Sequence, residues 1–130
     1  MQYEPINQSH AEAVAALEVE LFDNAFSEHT LRKEIEAGWG FVAVDEEVVG
    51  YALVRESDDL ADLTRLAVRK DRQGQGIGTH LLSLVLENVR NVMLCVRKEN
   101  QRSLALYKAH GFSVVGYIDN SWVMQRRDTT

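Results

Sequence analysis

The chain has 130 residues, 45% of them hydrophobic, which is enough for one compact domain spanning residues 1–130 and too little for two ordinary ones. A charged fraction of 26% with 8% aromatics excludes a disordered polyelectrolyte, and the formal charge of −6 argues against a nonspecific nucleic-acid binder while suiting a cationic small molecule or a basic peptide. No apolar run approaches the roughly 20 residues of a membrane span, and Met1 to Pro5 lacks the basic and apolar regions of a secretory signal, so the expectation is a cytoplasmic protein with no membrane partner.

In chain order, Met1 to Ile6 reads as a strand. Ser9-His10-Ala11-Glu12 matches a capping box, and Val14, Leu17 and Leu21 follow at helical spacing, predicting a helix over 10–22. Ser27 is a second candidate cap, Leu31 and Ile35 form an i, i+4 pair, and Gly38 stands where a C-cap glycine belongs. The pattern then turns to short β-rich runs at Trp39 to Val44, Val48 to Glu56 and Leu60 to Val68, separated by acidic turns, which predicts an antiparallel meander. A helix-like run, Thr79 to Val89, precedes the apolar strand Val92 to Val96, and a strand returning after a helix should pair parallel to the strand before it. Asn100 can cap a helix ending at His110-Gly111, and Phe112 to Ile118 with Trp122 to Arg126 reads as a closing hairpin. The expected class is α/β with a mixed sheet, in the order β α α β β β α β α β β.

The richest stretch is Gln73-Gly74-Gln75-Gly76-Ile77-Gly78, which joins the strand ending Leu66-Ala67-Val68 to the helix opening at Thr79. Closely spaced glycines at a strand-to-helix turn gather unpaired N–H groups and the positive end of the helix dipole at one place, where an anion would sit. A P-loop needs a Gly-Lys pair, and the chain has none; a dinucleotide fingerprint needs a third glycine at the position occupied by Thr79. What remains is Gln73-x-x-Gly76-x-Gly78.

That motif resembles the GNAT superfamily of acyl-CoA N-acyltransferases. Leu66-Ala67-Val68 before it, Leu81-Leu82 after it, and Asn100 with Leu106-Tyr107-Lys108-Ala109-His110-Gly111-Phe112 extend the resemblance over nearly the whole chain. Within the superfamily, Ala61-Asp62-Leu63, Leu94-Cys95-Val96-Arg97 and Leu21-Phe22 with Phe26-Ser27 look most like the ribosomal-protein-alanine N-acetyltransferases. The resemblance implies acetyl-CoA as co-substrate. Backbone amides of Gln73, Gly74, Gln75, Gly76, Ile77, Gly78 and Thr79 would cradle its pyrophosphate, with Arg69, Lys70 and Arg72 beside the remaining phosphates. The pantetheine arm would run in a cleft where two central parallel strands splay, against the backbone of Leu63 to Val68, with Asn100 and Tyr107 also in contact.

Transfer of an acetyl group to an amine needs a base for the amine proton and gains from an acid at the leaving thiolate. Asp62, or a water that it orders, is the candidate base: at ~3.3 Å per residue it lies roughly 20 Å from Val68, a span that an extended pantetheine arm largely covers. The competing reading is a solvated aspartate after an acidic turn. Tyr107 is the candidate acid, against the reading of an amphipathic tyrosine packed on its helix. The alanine-acetylating relatives carry glutamate where this chain has Cys95, and a lone cysteine in an apolar run reads as a small buried hydrophobe. A single cysteine excludes an internal disulfide, and the four histidines show no metal-ligand spacing, so no metal is expected. Trp39 and Trp122 read as packing residues. The expected acceptor is a peptide N-terminus or a small amine, the expected assembly a monomer or homodimer. The alternative is a coenzyme A-binding sensor or recognition module of the same fold without catalysis.

Overall fold

The computed structural model describes residues 1–127; the last three positions of the expected 1–130 domain lie outside them. Seven strands form one sheet in the order β1-β2-β3-β4-β5-β7-β6. They are β1 (Gln2–Pro5), β2 (Trp39–Asp45), β3 (Glu47–Ser57), β4 (Leu60–Val68), β5 (Val92–Arg97), β6 (Ser113–Ile118) and β7 (Ser121–Arg126). The helices are α1 (Ala11–Leu21), α2 (Glu28–Ala37), α3 (Ile77–Asn88) and α4 (Gln101–Ala109). Every neighbouring pair is antiparallel except β4 with β5, as a crossover through α3 requires. The closing hairpin forms, with its second strand inserted between β5 and β6.

The sheet separates two cores. On one face Leu63, Leu94 and Met124 pack with Leu81, Leu82 and Val85 of α3 and Tyr107 of α4. On the other, Val14 and Leu17 of α1 and Leu31 and Ile35 of α2 cover Val42, Tyr51 and Leu53. Strand alternation sends residues i and i+4 to the same face, yet Leu63 belongs to the first core and Ala67 to the second. The register explains it: Val54 pairs with Leu63 and Leu53 with Arg65, so Thr64 is an extra residue, a β-bulge, whose hydroxyl donates to the Leu53 carbonyl at 3.2 Å.

Two local expectations are corrected. Asn7, not Ser9, caps the N-terminal helical segment: its side chain accepts from the Ser9 N–H at 2.9 Å while Nδ1 of His10 accepts from the Asn7 N–H at 3.0 Å, and a 3₁₀ turn over Gln8–His10 leads into α1. Gly38 ends α2 with φ −128°, not in the left-handed conformation of a capping glycine. It is needed for space, since a Cβ there would lie 2.1 Å from the Val54 carbonyl oxygen of the sheet. Ser27 does cap α2, accepting from the Thr30 N–H at 3.1 Å.

Candidate active site

The parallel ladder between β4 and β5 consists of two pairs, Ala61 with Val92 and Asp62 with Met93. Beyond them the strands part, so the β5-facing backbone of Leu63 to Val68 has no ladder partner on β5. Continued twist without pairing opens a cleft, and a cavity of about 680 Å³ occupies it, within the range of small-molecule sites. Leu66, Ala67 and Val68 line one wall, and Asn100, Leu106 and Tyr107 another. Gln73, Gly74, Gly76, Ile77, Gly78 and Thr79 close its end. Most of the residues that the sequence placed in contact with a coenzyme therefore converge on this cavity; Gln75, Arg69, Lys70 and the first half of the Leu63 to Val68 stretch do not line it.

The turn owes its shape to two glycines in the left-handed region, Gly74 at φ +84° and Gly76 at φ +86°, where an L side chain would be strained. Gln73 ties the turn to the end of its strand through an amide N–H donated to the Val68 carbonyl at 3.0 Å. Gly76 precedes α3 with no side chain to cap it, so the first-turn N–H groups of a 12-residue helix point out without a side-chain acceptor. That end of the helix carries partial positive charge and suits an anion.

The basic loop behaves differently from expectation. Arg69 is spent on acidic neighbours, Asp71 at 2.7 Å and Glu47 at 3.0 Å, and does not line the cavity. Arg72 does line it while pairing with Asp45 at 2.8 Å, and Arg102 of α4 is a second cation at the turn, 3.5 Å from where a Cβ of Gly74 would stand. Arg102 has no local signal in the sequence: it lies on α4, 28 positions after Gly74, and meets the turn only through the fold. Asn100 has both of its expected aspects, capping α4 by accepting from the Ser103 N–H at 3.1 Å and lining the cavity.

Tyr107 is 7% exposed and packs edge-on against Phe112, with ring centroids 5.6 Å apart. Burial pushes its phenol up to about 12, so it stays protonated and able to donate at neutral pH. Its hydroxyl makes no hydrogen bond among the described residues, and none of their buried side-chain polar atoms lacks a partner, so the hydroxyl is reached from the cavity.

Asp62 stands at the last rung before the strands part, outside the cavity's own lining. It precedes the bulge and alternates with Ala61 and Leu63, so it points to the face of α1 and α2. Lost hydration raises its carboxyl above the usual range; Arg55, opposite it on β3, pulls the other way, and Glu34 of α2 adds to the rise. Arg55 is already paired to Glu34 at 2.7 Å, and the Asp62 carboxylate makes no hydrogen bond among the described residues. Such a carboxylate is a better proton acceptor than a free one.

Cys95 is exposed, which corrects the reading of a buried hydrophobe. Alternation on β5 buries Val92, Leu94 and Val96 and turns Met93, Cys95 and Arg97 to the other face, where α1 and α2 cover chiefly β2 and β3 and leave β5 open. Partial loss of hydration beside the sheet and the nearby charge of Asp62 raise the thiol's pKa, so Cys95, though exposed, remains a thiol at neutral pH and is a poor nucleophile. The two tryptophans pack as expected: Trp39 meets Phe41 and donates to Glu56 at 3.0 Å, and Trp122 lies against the first core. Among the described residues, no three His, Cys, Asp or Glu side chains come together as a metal site would need, and no helix is long and apolar enough to cross a membrane.

The parted strands, the glycine turn and the capped helix beside it are the arrangement that the sequence resemblance implied. The sequence profile described as "Acetyltransferase (GNAT) family" matches residues 6–112. The chain belongs to that family. As a GNAT acetyltransferase it has the fold of many solved relatives. The ribosomal-protein-S18-alanine N-acetyltransferase from Escherichia coli superposes with a TM-score of 0.88 at 22% identity, covering 99% of this chain and 94% of that one. The paia N-acetyltransferase from Thermoplasma acidophilum, in complex with coenzyme A, gives 0.80 at 16% identity over 98% of this chain and 99% of that one. An Arabidopsis thaliana protein in complex with the bisubstrate analogue CoA-Ac-MVNAL gives 0.79 at 20% identity, with 96% and 97% covered. The GNAT fold, with its mixed sheet and single parallel junction, is thus the fold of this chain.

Proposed function

We propose that this GNAT acetyltransferase uses acetyl-CoA to acetylate a primary amine by direct transfer, with the free N-terminus of a peptide as the preferred acceptor. The observation that carries this reading is the cleft between β4 and β5, whose unpaired β4 backbone runs from Asp62 into a turn built for an anion. Coenzyme A fits it in order. The pyrophosphate meets the N–H groups at the start of α3 with Arg72 and Arg102 alongside, and the pantetheine arm takes up the ladder positions that β5 vacates. The thioester then reaches the end where Asp62 stands.

Asp62, directly or through a water, accepts a proton from the ammonium or attacking amine; the amine nitrogen bonds the carbonyl carbon, and the C–S bond breaks. Tyr107 gives its proton to the departing thiolate and regains one from solvent, so the products are the acetamide and free coenzyme A. The peptide preference draws support from the fold's likeness to proteins whose acceptor is a ribosomal-protein alanine or which bind a conjugate of coenzyme A with a peptide. The open face of β5 leaves room for an extended chain. Thiol release from acetyl-CoA, measured against N-terminal peptides, lysine side-chain peptides and small polyamines, tests the proposal. Turnover confined to small amines would remove the peptide assignment, and tight coenzyme A binding with no turnover on any amine would favour a binding module.

A further inference from the structure

The sequence reading used neither Glu18 nor Arg65, yet they form the most enclosed polar cluster among the described residues. Glu18 of α1 is fully buried and accepts from the Tyr51 hydroxyl at 2.6 Å, the Phe26 N–H at 2.8 Å and Nε of Arg65 at 3.1 Å. Arg65 comes from β4, the strand lining the cavity, and the bulge at Thr64 turns it toward α1 and α2. Its Nη2 donates to the Asn24 carbonyl at 3.1 Å, and its guanidinium carbon lies 4.3 Å from the Phe22 ring centroid and 4.0 Å from that of Phe26. A single side chain of the strand thus holds three alternate residues, 22, 24 and 26, of the connection between α1 and α2.

Glu18 would be satisfied without this. A buried carboxylate needs partners, and Tyr51 with the Phe26 amide already supplies two. What the guanidinium adds is the planar fork and two cation–π contacts, to Phe22 and Phe26, interactions with directional demands that fasten a loop. Phe22 itself lines the cavity. We infer that Arg65 is a positioning residue for the acceptor: it locks the connection over 22–27 to the cofactor strand, so that Phe22 and Phe26 form a preset wall against which the incoming amine-bearing chain is held. Preset walls raise affinity by removing the ordering cost of binding.

The inference rests on the peptide-acceptor reading, and a binding experiment separates the two. Isothermal titration compares coenzyme A alone with a conjugate of coenzyme A joined through an acetyl linker to a short peptide N-terminus. In the wild type the conjugate should bind more tightly than coenzyme A. In Glu18→Gln/Arg65→Met, which removes both charges at similar volume, that advantage should fall about tenfold, the loss expected when two aromatic side chains must be ordered on binding. Coenzyme A alone should keep its affinity within roughly twofold, as expected of a separate site. Phe26→Leu, which leaves the ion pair intact, should lose part of the advantage in the same direction and decides alone if the double variant does not fold. An advantage fully retained in the variants, or a parallel loss for coenzyme A, overturns the inference while the peptide reading stands. No advantage in the wild type removes that reading and the inference with it.

Discussion

The two ends of the cleft are made of different materials. At the phosphate end, the contacts come from backbone: two glycines with positive φ, an uncapped helix start and a strand edge without a partner. At the end proposed for the acceptor they come from side chains brought together from different elements, with Asp62 and Cys95 on adjacent strands and Glu18 and Arg65 joined over 47 positions. A backbone site tolerates many sequences provided that its glycines stay, whereas a side-chain site changes with each substitution. One fold can therefore keep its coenzyme and exchange its acceptors.

This contrast can be broken at each end. The largest effect should come from Glu18→Ala, which strands Arg65 in a mostly buried position. Removing one partner of a buried ion pair costs about 3–5 kcal/mol, and urea denaturation should show it. A loss below about 1 kcal/mol would mean that Arg65 swings out to water and that the α1–α2 connection is not held by the pair. Next come the groups proposed to transfer protons. Asp62→Asn and Tyr107→Phe should each lower kcat on the order of a hundredfold, the lower end for a general base or acid, with coenzyme A affinity kept. The acid limb of kcat/KM against pH should lie above the ordinary carboxylate range, because the base must be ionised and its pKa is raised; in Asp62→Asn that limb should vanish. If the variant retains both rate and limb, a water chain without Asp62 is the base.

A smaller change belongs to the phosphate end. Gly76→Val puts a β-branched residue at φ +86°, where strain of about 1–2 kcal/mol should weaken coenzyme A binding on the order of tenfold. Acceptor KM at saturating acetyl-CoA should hardly move, and a parallel rise would show that the two ends are not separable. Smallest of all, Asp62→Asn should raise Tm slightly near pH 7. The folded pKa of Asp62 lies above its unfolded value, so ionisation is less favourable in the fold, and stability is lost as pH rises through that window. Scanning calorimetry at pH 4 and pH 7 should show the gain at pH 7 alone.

The phosphate end was legible in the sequence because its signals are local. Gly76 and Gly78 lie within one turn of the helix they open, and Asn100 sits next to the helix it caps. Strand identities were legible for the same reason, since β-rich runs and their turns are neighbours in sequence. Errors arose where a nearby alternative or a distant neighbour decided. Asn7 outcompeted Ser9 from two positions upstream with a histidine in the role expected of a glutamate. Gly38 answers to a carbonyl of β3, 16 positions away. Glu18 carries no local signal of its burial, because its partners Tyr51 and Arg65 come from two strands far along the chain. Cys95 lies in an apolar run but faces a part of the sheet that no helix covers, which depends on where α1 and α2 stop.

The bulge at Thr64 gives β4 something like a change of reading frame. Before it, odd-numbered side chains belong to the α3 core; after it, even-numbered ones do, so Asp62 and Arg65 share a face despite their three-residue separation. Deleting that one residue would leave Leu63 and Arg65 consecutive opposite Val54 and Leu53, a plain alternation in which Arg65 still faces α1 and α2 and Leu66 still faces the α3 core. The extra residue is thus the one position of β4 that could be lost without moving any other side chain to the opposite face, and what it contributes is local twist and the hydroxyl bonded to the Leu53 carbonyl.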